Sequence, residues 1–284
     1  MTPVDRLTWA YFRSINAQSH WVMTEYGKQH ALEVKGQGQN GTIILLHGLS
    51  ARSTHFAFMV RKLRPHFGRL IIPDMLGHGR NPAPDCAIGC WDMQRTANAV
   101  LNELVPEPAV VYGNSLGGYG AISFAAKHPQ RVRALIVNSP GGGALQSMSM
   151  QDYMNRFRPQ TKDDARTFVD LYFGKNLPLK RLLAFGVTRQ LNEPFVKAFM
   201  SELTNDDFLR ADQLQCLAMP CLFLWGQRDQ IMHPEQLDFF KQNLPNHVQI
   251  EEPVTYGHAP YIEHPYDLSA RLMTFVNENL ANAA

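Results

Sequence analysis

Short apolar runs alternate with amphipathic segments along most of the chain. Several runs are rich in Val, Ile and Leu and are bounded by Gly, Pro, Asn or Asp, over residues 42–48, 69–74, 109–115, 133–140 and 221–229. Uninterrupted runs of this kind are typical of strands that are buried on both faces. The intervening segments have helical spacing, over residues 55–67, 91–104, 116–129 and 234–244. This alternation predicts an α/β fold with a mostly parallel, doubly wound sheet.

The N-terminal part of the chain follows a different pattern. Within residues 20–41, two extended pieces flank a turn-like YGKQ at residues 26–29, and the sequence QGQNG ends the unit. Two extended pieces joined by a short turn predict a hairpin. We therefore expect an antiparallel hairpin at the edge of the sheet.

The alternation breaks once, after the run that ends near residue 140. Residues 144–212 contain no strand-like run and show helical spacing instead, over residues 161–173, 177–191 and 193–203. Thr161 and Asp164 have the spacing of a capping box. We expect an α/β core domain of residues 1–140 and 213–284, with a helical cap (lid) inserted at residues 141–212.

Composition and charge narrow the function classes. Of the 284 residues, 45% are apolar and 18% are charged, and the formal net charge is +2. No basic cluster predicts nucleic-acid binding, and no apolar run is long enough to cross a membrane. The N-terminus lacks the pattern of a secretory signal. The aromatic residues within residues 9–21 favour packing onto the domain, although a peripheral membrane contact stays open.

The cysteines indicate the compartment. Cys86, Cys90, Cys216 and Cys221 lack the spacing of a zinc site, and no histidine pair completes one. We expect reduced thiols in a cytoplasmic protein that holds no metal.

A serine flanked by glycines is the first candidate for chemistry. Gly113-Asn114-Ser115-Leu116-Gly117 matches G-x-S-x-G, with a predicted strand before it and a predicted helix after it. In this context the serine lies on a sharp strand-to-helix turn, and the small residues allow other backbone to pass close by. We predict that Ser115 is a nucleophile.

A serine nucleophile needs a base and a group that orients the base. In this architecture the order along the chain is Ser, acid, His. Asp229 follows a predicted strand and His258 lies in a glycine-marked loop, and we predict that these two complete the catalytic set. The competing His233 and His264 both precede prolines and are better explained by helix starts.

Backbone N–H groups are expected to stabilise the developing oxyanion. One donor belongs to Leu116, directly after the nucleophile, and the second belongs to the loop after an earlier strand, where Leu49 is the candidate. His47 is expected to shape that loop rather than to act as a base. Asp74 and His78 are expected to build a turn at a strand end.

Five motifs in register resemble the α/β-hydrolase superfamily, from about residue 30 to the C-terminus: LLHGLS, DMLGHG, GNSLGG, LWGQRD and YGHAPYIEHP. The first three look most like those of bacterial esterases and monoacylglycerol-lipase-like members. The resemblance implies acyl transfer to Ser115 and then to water, with no cofactor. His258 would act as general base and then acid, and Asp229 would hold the imidazolium.

Several alternatives stay open within this resemblance. Haloalkane dehalogenases and epoxide hydrolases attack with an aspartate, so Ser115 argues against both. Carbon–carbon hydrolases of ring-cleavage products share the G-N-S-x-G-G elbow, but they usually have a longer glycine-rich loop and an aromatic residue where Ala259 follows His258. They are the main alternative. Cofactor-free haloperoxidases, acyltransferases and a slow-turnover receptor of this fold also remain. The Met-rich and aromatic cap favours a small-molecule ester with an apolar acyl group.

Overall fold

An eight-stranded sheet organises the part of the chain that the computed structural model describes, which is residues 3–173, 186 and 188–280. The strand order is β1-β2-β4-β3-β5-β6-β7-β8. The strands are β1 (Gln18–Thr24), β2 (Gly27–Lys35), β3 (Thr42–Leu46), β4 (Arg69–Pro73), β5 (Ala109–Asn114), β6 (Val132–Asn138), β7 (Cys221–Leu224) and β8 (Gln249–Glu251).

Most of the sheet is parallel, and its antiparallel part is confined to one edge. β1 pairs antiparallel with β2, and β2 pairs antiparallel with β4. Each later pair, from β3 with β4 to β7 with β8, is parallel. The predicted doubly wound sheet with an N-terminal hairpin is therefore confirmed.

Helices precede the first strand, occupy the connections from β3 onward and follow the last strand. They are α1 (Pro3–Ser14), α2 (Ala57–Leu63), α3 (Cys90–Leu104), α4 (Leu116–Lys127), α5 (Met150–Asn155), α6 (Lys162–Phe173), α7 (Pro194–Glu202), α8 (Ala211–Gln215), α9 (Pro234–Asn243), α10 (Pro260–Glu263) and α11 (Pro265–Leu280). Every residue of β3 and β5 is buried, so both faces of the central sheet are covered. None of the described helices is long and apolar enough to cross a bilayer.

Helix α1 is an element that the sequence analysis did not predict. It places Phe12 completely inside the core, with Trp9 and Tyr11 partly buried against it. Trp21, on the outer strand β1, keeps 43% of its surface exposed. The expected packing of the N-terminal aromatic residues therefore holds for α1 and only partly for the hairpin.

The chain between β6 and β7 carries helices α5 to α8. Thr161 and Asp164 form the expected capping box, since the Asp164 N–H donates to Thr161 Oγ1 at 3.0 Å and the Thr161 N–H donates to Asp164 Oδ2 at 2.8 Å. Most of the helix predicted over residues 177–191 lies outside the described residues. Residues 188–191, which are described, are helical.

The central strands are expected to dominate the stability of the fold. Leu45 of β3 is completely buried, whereas Leu7 of α1 is 72% exposed. Leu45→Ala should lower the free energy of unfolding by about 3 kcal/mol, because the substitution leaves a cavity in a packed core. Leu7→Ala should change it by less than about 0.5 kcal/mol. Urea denaturation of both variants measures the contrast, and equal losses would contradict this description of the core.

Candidate active site

Ser115 lies at a backbone turn that few residues other than glycine adopt. It joins the end of β5 to the first residue of α4, with φ of 57° and ψ of −121°. A non-glycine residue in such a conformation costs about 1–3 kcal/mol and persists only where the surroundings hold it. Here the Ser115 N–H donates to the Asn138 carbonyl at 3.1 Å, and its carbonyl accepts the Gly141 N–H at 3.0 Å.

Two glycines make room for this turn. A Cβ on Gly113 would lie 2.3 Å from the Gly117 carbonyl oxygen, and a Cβ on Gly117 would lie 2.3 Å from the Leu46 carbonyl oxygen. Both obstacles are backbone atoms, which cannot move aside as a side chain can. The G-x-S-x-G spacing is therefore a steric requirement of the way β3, β5 and α4 meet.

Asp229 and His258 form a buried hydrogen-bonded pair. Asp229 Oδ2 lies 2.7 Å from His258 Nδ1, and the two residues are 8% and 2% exposed. An ionised carboxylate only accepts, so Nδ1 carries the proton and Nε2 is left as an acceptor. Asp229 Oδ1 accepts the N–H groups of Ile231 at 3.0 Å and Met232 at 3.1 Å.

The electrostatics keep Asp229 ionised. Burial alone would raise its pKa, but the adjacent His258 and the hydrogen bonds that the carboxylate accepts outweigh burial, so the pKa lies below its ordinary value. A buried anion with these donors is suited to orient an imidazole and to stabilise it when it becomes protonated.

The side chain of Asn114 connects the Ser115 turn to the His258 loop. Its Nδ2 donates to the carbonyl oxygens of Asn138 and His258, both at 3.0 Å. Asn138 lies opposite Asn114 on β6, and its own Nδ2 is 3.4 Å from the same His258 carbonyl. The sequence analysis missed both asparagines. The available signal was a pair of polar residues that end two otherwise apolar strands.

The structure thus brings Ser115 next to the His258 loop without closing the set of three. Within the described residues, no hydrogen bond joins Ser115 Oγ to His258. In unliganded enzymes such bonds are often long and shorten only when substrate binds. The assignment of Ser115, Asp229 and His258 as a catalytic triad stays a prediction.

The loop after β3 passes directly beside the serine. A Cβ on Gly48 would lie 3.0 Å from Ser115 Cβ and 3.5 Å from Ser115 Oγ. The predicted oxyanion donor Leu49 is the next residue, and Leu116 begins α4, where the first N–H groups have no helical partner. Among the described residues, neither of these two N–H groups donates to a backbone carbonyl.

His47 holds this loop in place. Its Nδ1 donates to the Gly48 carbonyl at 2.9 Å, and its Nε2 accepts the Met75 N–H at 3.0 Å. Burial lowers the pKa of His47 to about 4, so the ring is neutral at pH 7. The side chain shapes the loop, as expected from the sequence.

A second Ser–His–Asp set lies near the N-terminal hairpin. His30 Nδ1 is 2.8 Å from Asp74 Oδ2, and His30 Nε2 is 3.0 Å from Ser19 Oγ. Asp74 also accepts the Arg80 N–H, within the turn expected after β4, and the Ser53 N–H from the loop after β3. Ser19 lies within edge strand β1, so it lacks the strand-to-helix turn and helix N-terminus that surround Ser115.

Helix α6 of the 141–212 segment contacts the His258 side of the site. The Tyr172 ring packs edge-on against the His258 ring, with centroids 4.9 Å apart. The Tyr172 carbonyl accepts the His258 N–H at 2.9 Å, and the Leu171 carbonyl accepts the Gln230 N–H at 3.2 Å. This segment therefore touches both loops that carry the Asp229–His258 pair.

Comparison with known proteins places this architecture among hydrolases. The family model described as the alpha/beta hydrolase fold matches residues 41–265. Lipase 1 of Psychrobacter immobilis is 28% identical over 236 residues, which cover 78% of this chain and 72% of that lipase. The pimeloyl-[acyl-carrier protein] methyl ester esterase of Nitrosospira multiformis is 26% identical over 87% of this chain and 98% of its own length. A solved structure of lip1 from Acinetobacter baumannii, 20% identical, superposes with a TM-score of 0.80 over 99% of this chain and 98% of that one.

The strained turn predicts an unusual order of stabilities. Ser115→Gly should be more stable than Ser115→Ala by about 1 kcal/mol, because only glycine adopts this backbone conformation without strain. Exposed Ser201, in α7, is the control, since there alanine should be the more stable by up to about 1 kcal/mol. Urea denaturation of the four variants measures both differences. Equal stability of the two Ser115 variants would contradict a strained turn.

Proposed function

The chain belongs to the α/β-hydrolase family and is a carboxylic ester hydrolase, and we propose that it cleaves esters of apolar acyl groups through an acyl-enzyme on Ser115. The observation that best supports this is the Asp229–His258 pair at 2.7 Å, held beside the Ser115 turn by Asn114. A base oriented by a buried carboxylate next to a partly exposed turn serine is the arrangement that acyl transfer needs.

In the first half of the proposed reaction, Ser115 Oγ attacks the ester carbonyl carbon and its proton passes to His258 Nε2. The N–H groups of Leu49 and Leu116 donate to the resulting oxyanion, where each such donor contributes about 3 kcal/mol. The tetrahedral intermediate then breaks its bond to the alkoxy oxygen. His258 protonates that oxygen, so the alcohol leaves and an acyl group stays on Ser115.

In the second half, water replaces the alcohol. His258 takes a proton from the water, whose oxygen attacks the acyl carbon, and the same donors hold the second oxyanion. The intermediate collapses, His258 returns the proton to Ser115 Oγ, and the carboxylic acid leaves. Asp229 remains ionised throughout and stabilises the imidazolium in both halves.

We propose that residues 141–212 form the cap over this site and that they select the acyl group. Phe195 supports this, because its ring packs against His78, with centroids 6.0 Å apart, in the turn after β4. Tyr172 packs against His258 from the same segment. Aromatic surfaces on the site favour an apolar acyl group over a charged one. We also propose a cytoplasmic location, as expected from the four reduced thiols.

Ester hydrolysis can be tested directly with p-nitrophenyl esters from acetate to palmitate. We expect steady-state turnover with a maximum at one chain length. Ser115→Ala should lower kcat at least about 10⁴-fold while the protein stays folded, because the nucleophile is lost and the turn is kept. Far-ultraviolet circular dichroism checks the fold of the variant.

Three results would contradict this proposal in different ways. Undiminished hydrolysis by Ser115→Ala would exclude Ser115 as the nucleophile. Negligible turnover of the whole series by the folded wild type would favour a carbon–carbon hydrolase. Stoichiometric acylation without turnover would favour a receptor.

The role of Asp229 predicts a large effect on kcat. Asp229→Asn should lower kcat about 10⁴-fold, because the amide orients the wrong tautomer of His258 and cannot stabilise the imidazolium. Asp238→Asn, on the exposed face of α9, is the matched control and should keep wild-type kcat. Steady-state kinetics with one ester compares the two, and a loss of less than about tenfold for Asp229→Asn would exclude it as the orienting acid.

A further inference from the structure

Glu263 holds the backbone on both sides of His258. It ends the short helix α10, and its Oε1 accepts the Ala259 N–H at 3.0 Å while its Oε2 accepts the Gly257 N–H at 3.2 Å. The two donors are the residues immediately before and after His258. One side chain therefore binds the N–H groups of both residues next to the predicted base.

The polar backbone groups of His258 itself are also occupied. Its N–H donates to the Tyr172 carbonyl at 2.9 Å, and its carbonyl accepts from Asn114 at 3.0 Å. With Glu263, the loop is held from three directions: its own helix, the 141–212 segment and the Ser115 turn. Among these contacts, only those of Glu263 bind the residues on both sides of His258.

The His258 loop packs closely around the carboxyl group of Glu263 at Gly257. A Cβ on Gly257 would lie 2.7 Å from Glu263 Oε2 and 2.8 Å from the Tyr172 carbonyl oxygen. Such distances are too short for a Cβ atom, so glycine at 257 lets both the Glu263 carboxyl group and the Tyr172 carbonyl approach the loop closely.

The charge of Glu263 is compatible with its place beside the pair. Burial raises its pKa to about 8, and the Asp229 carboxylate acts in the same direction, while the Ala259 and Gly257 N–H groups and Arg228 oppose this rise. At neutral pH the group is therefore mostly a neutral acid. It restrains the loop without placing a second full negative charge beside Asp229 and His258.

We propose that Glu263 is the positioning residue of His258, which it holds within reach of Ser115 by binding the backbone N–H groups of the residues before and after it. This proposal rests on the proposed function of Ser115 and His258. Glu263 itself touches no reacting atom. Loss of its restraint should therefore slow proton transfer from Ser115 rather than weaken substrate binding.

The test follows the reaction of Ser115 with diethyl p-nitrophenyl phosphate. Ser115 Oγ attacks phosphorus, the bond to the aryl oxygen breaks, p-nitrophenolate leaves and His258 takes the serine proton. The release of p-nitrophenolate gives the rate without any assumption about the natural ester. Ser115→Ala is the blank, and steady-state kcat and KM with the best p-nitrophenyl ester complete the measurement.

Glu263→Ala should lower the rate of this reaction and kcat by about 100-fold, because a displacement of about 1 Å at a reacting group costs that much. KM should change less than about threefold. Glu263→Gln should react about tenfold faster than Glu263→Ala, because its amide oxygen still accepts one of the two N–H groups. Gly257→Ala should also slow the reaction, because its Cβ would crowd both the Glu263 carboxyl group and the Tyr172 carbonyl.

Asp92→Ala is the control for a purely structural effect. Asp92 caps α3 by accepting the Gly89 N–H at 2.8 Å, so its loss should lower Tm by about 3 °C without changing either rate. A folded Glu263→Ala or Glu263→Gln variant that reacts as fast as the wild type would overturn the positioning role. If Glu263→Ala does not fold, Glu263→Gln decides alone. An inert wild type would overturn the proposed function, and the positioning role with it.

Discussion

The backbone conformation of Ser115 is the constraint on which the rest of the site depends. With φ of 57° and ψ of −121°, the turn lifts the serine off the end of β5 and starts α4 directly behind it. It is possible only because Gly113 and Gly117 let β3, β5 and α4 approach within backbone contact. The same approach brings Gly48 against Ser115, and the proposed oxyanion donors Leu49 and Leu116 directly follow Gly48 and Ser115 in the chain.

The His258 loop is fixed through its backbone rather than through its ring alone. Asn114 joins it to the Ser115 turn, Tyr172 joins it to the 141–212 segment, and Glu263 binds the N–H groups of Gly257 and Ala259. The ring makes one strong contact, with Asp229. Because a catalytic base must be placed to within a fraction of an ångström, the loop backbone matters as much as the pair.

Much of the fold could be predicted from the sequence, because buried parallel strands leave continuous apolar runs that helical spacing interrupts. The elbow at Ser115 was also readable, since its glycines are a steric requirement. Helix α1 was missed because it lies before the first strand, outside the alternation of apolar runs and helical segments that predicted the other helices. The sequence analysis missed the roles of Asn114, Tyr172 and Glu263. Some of their contacts join residues that are distant in sequence, and others are made to backbone atoms, which the residue types do not reveal. The Ser19–His30–Asp74 set shows the converse, since hydrogen-bond distances alone do not distinguish a structural cluster from a site.

The most direct test of the central claim is a crystal structure of the protein after reaction with diethyl p-nitrophenyl phosphate. The account predicts a diethyl phosphoryl group on Ser115 Oγ, with its phosphoryl oxygen about 2.7–3.1 Å from the backbone nitrogens of Leu49 and Leu116. A phosphoryl group on Ser19, or one on Ser115 whose phosphoryl oxygen faces away from both nitrogens, would contradict it.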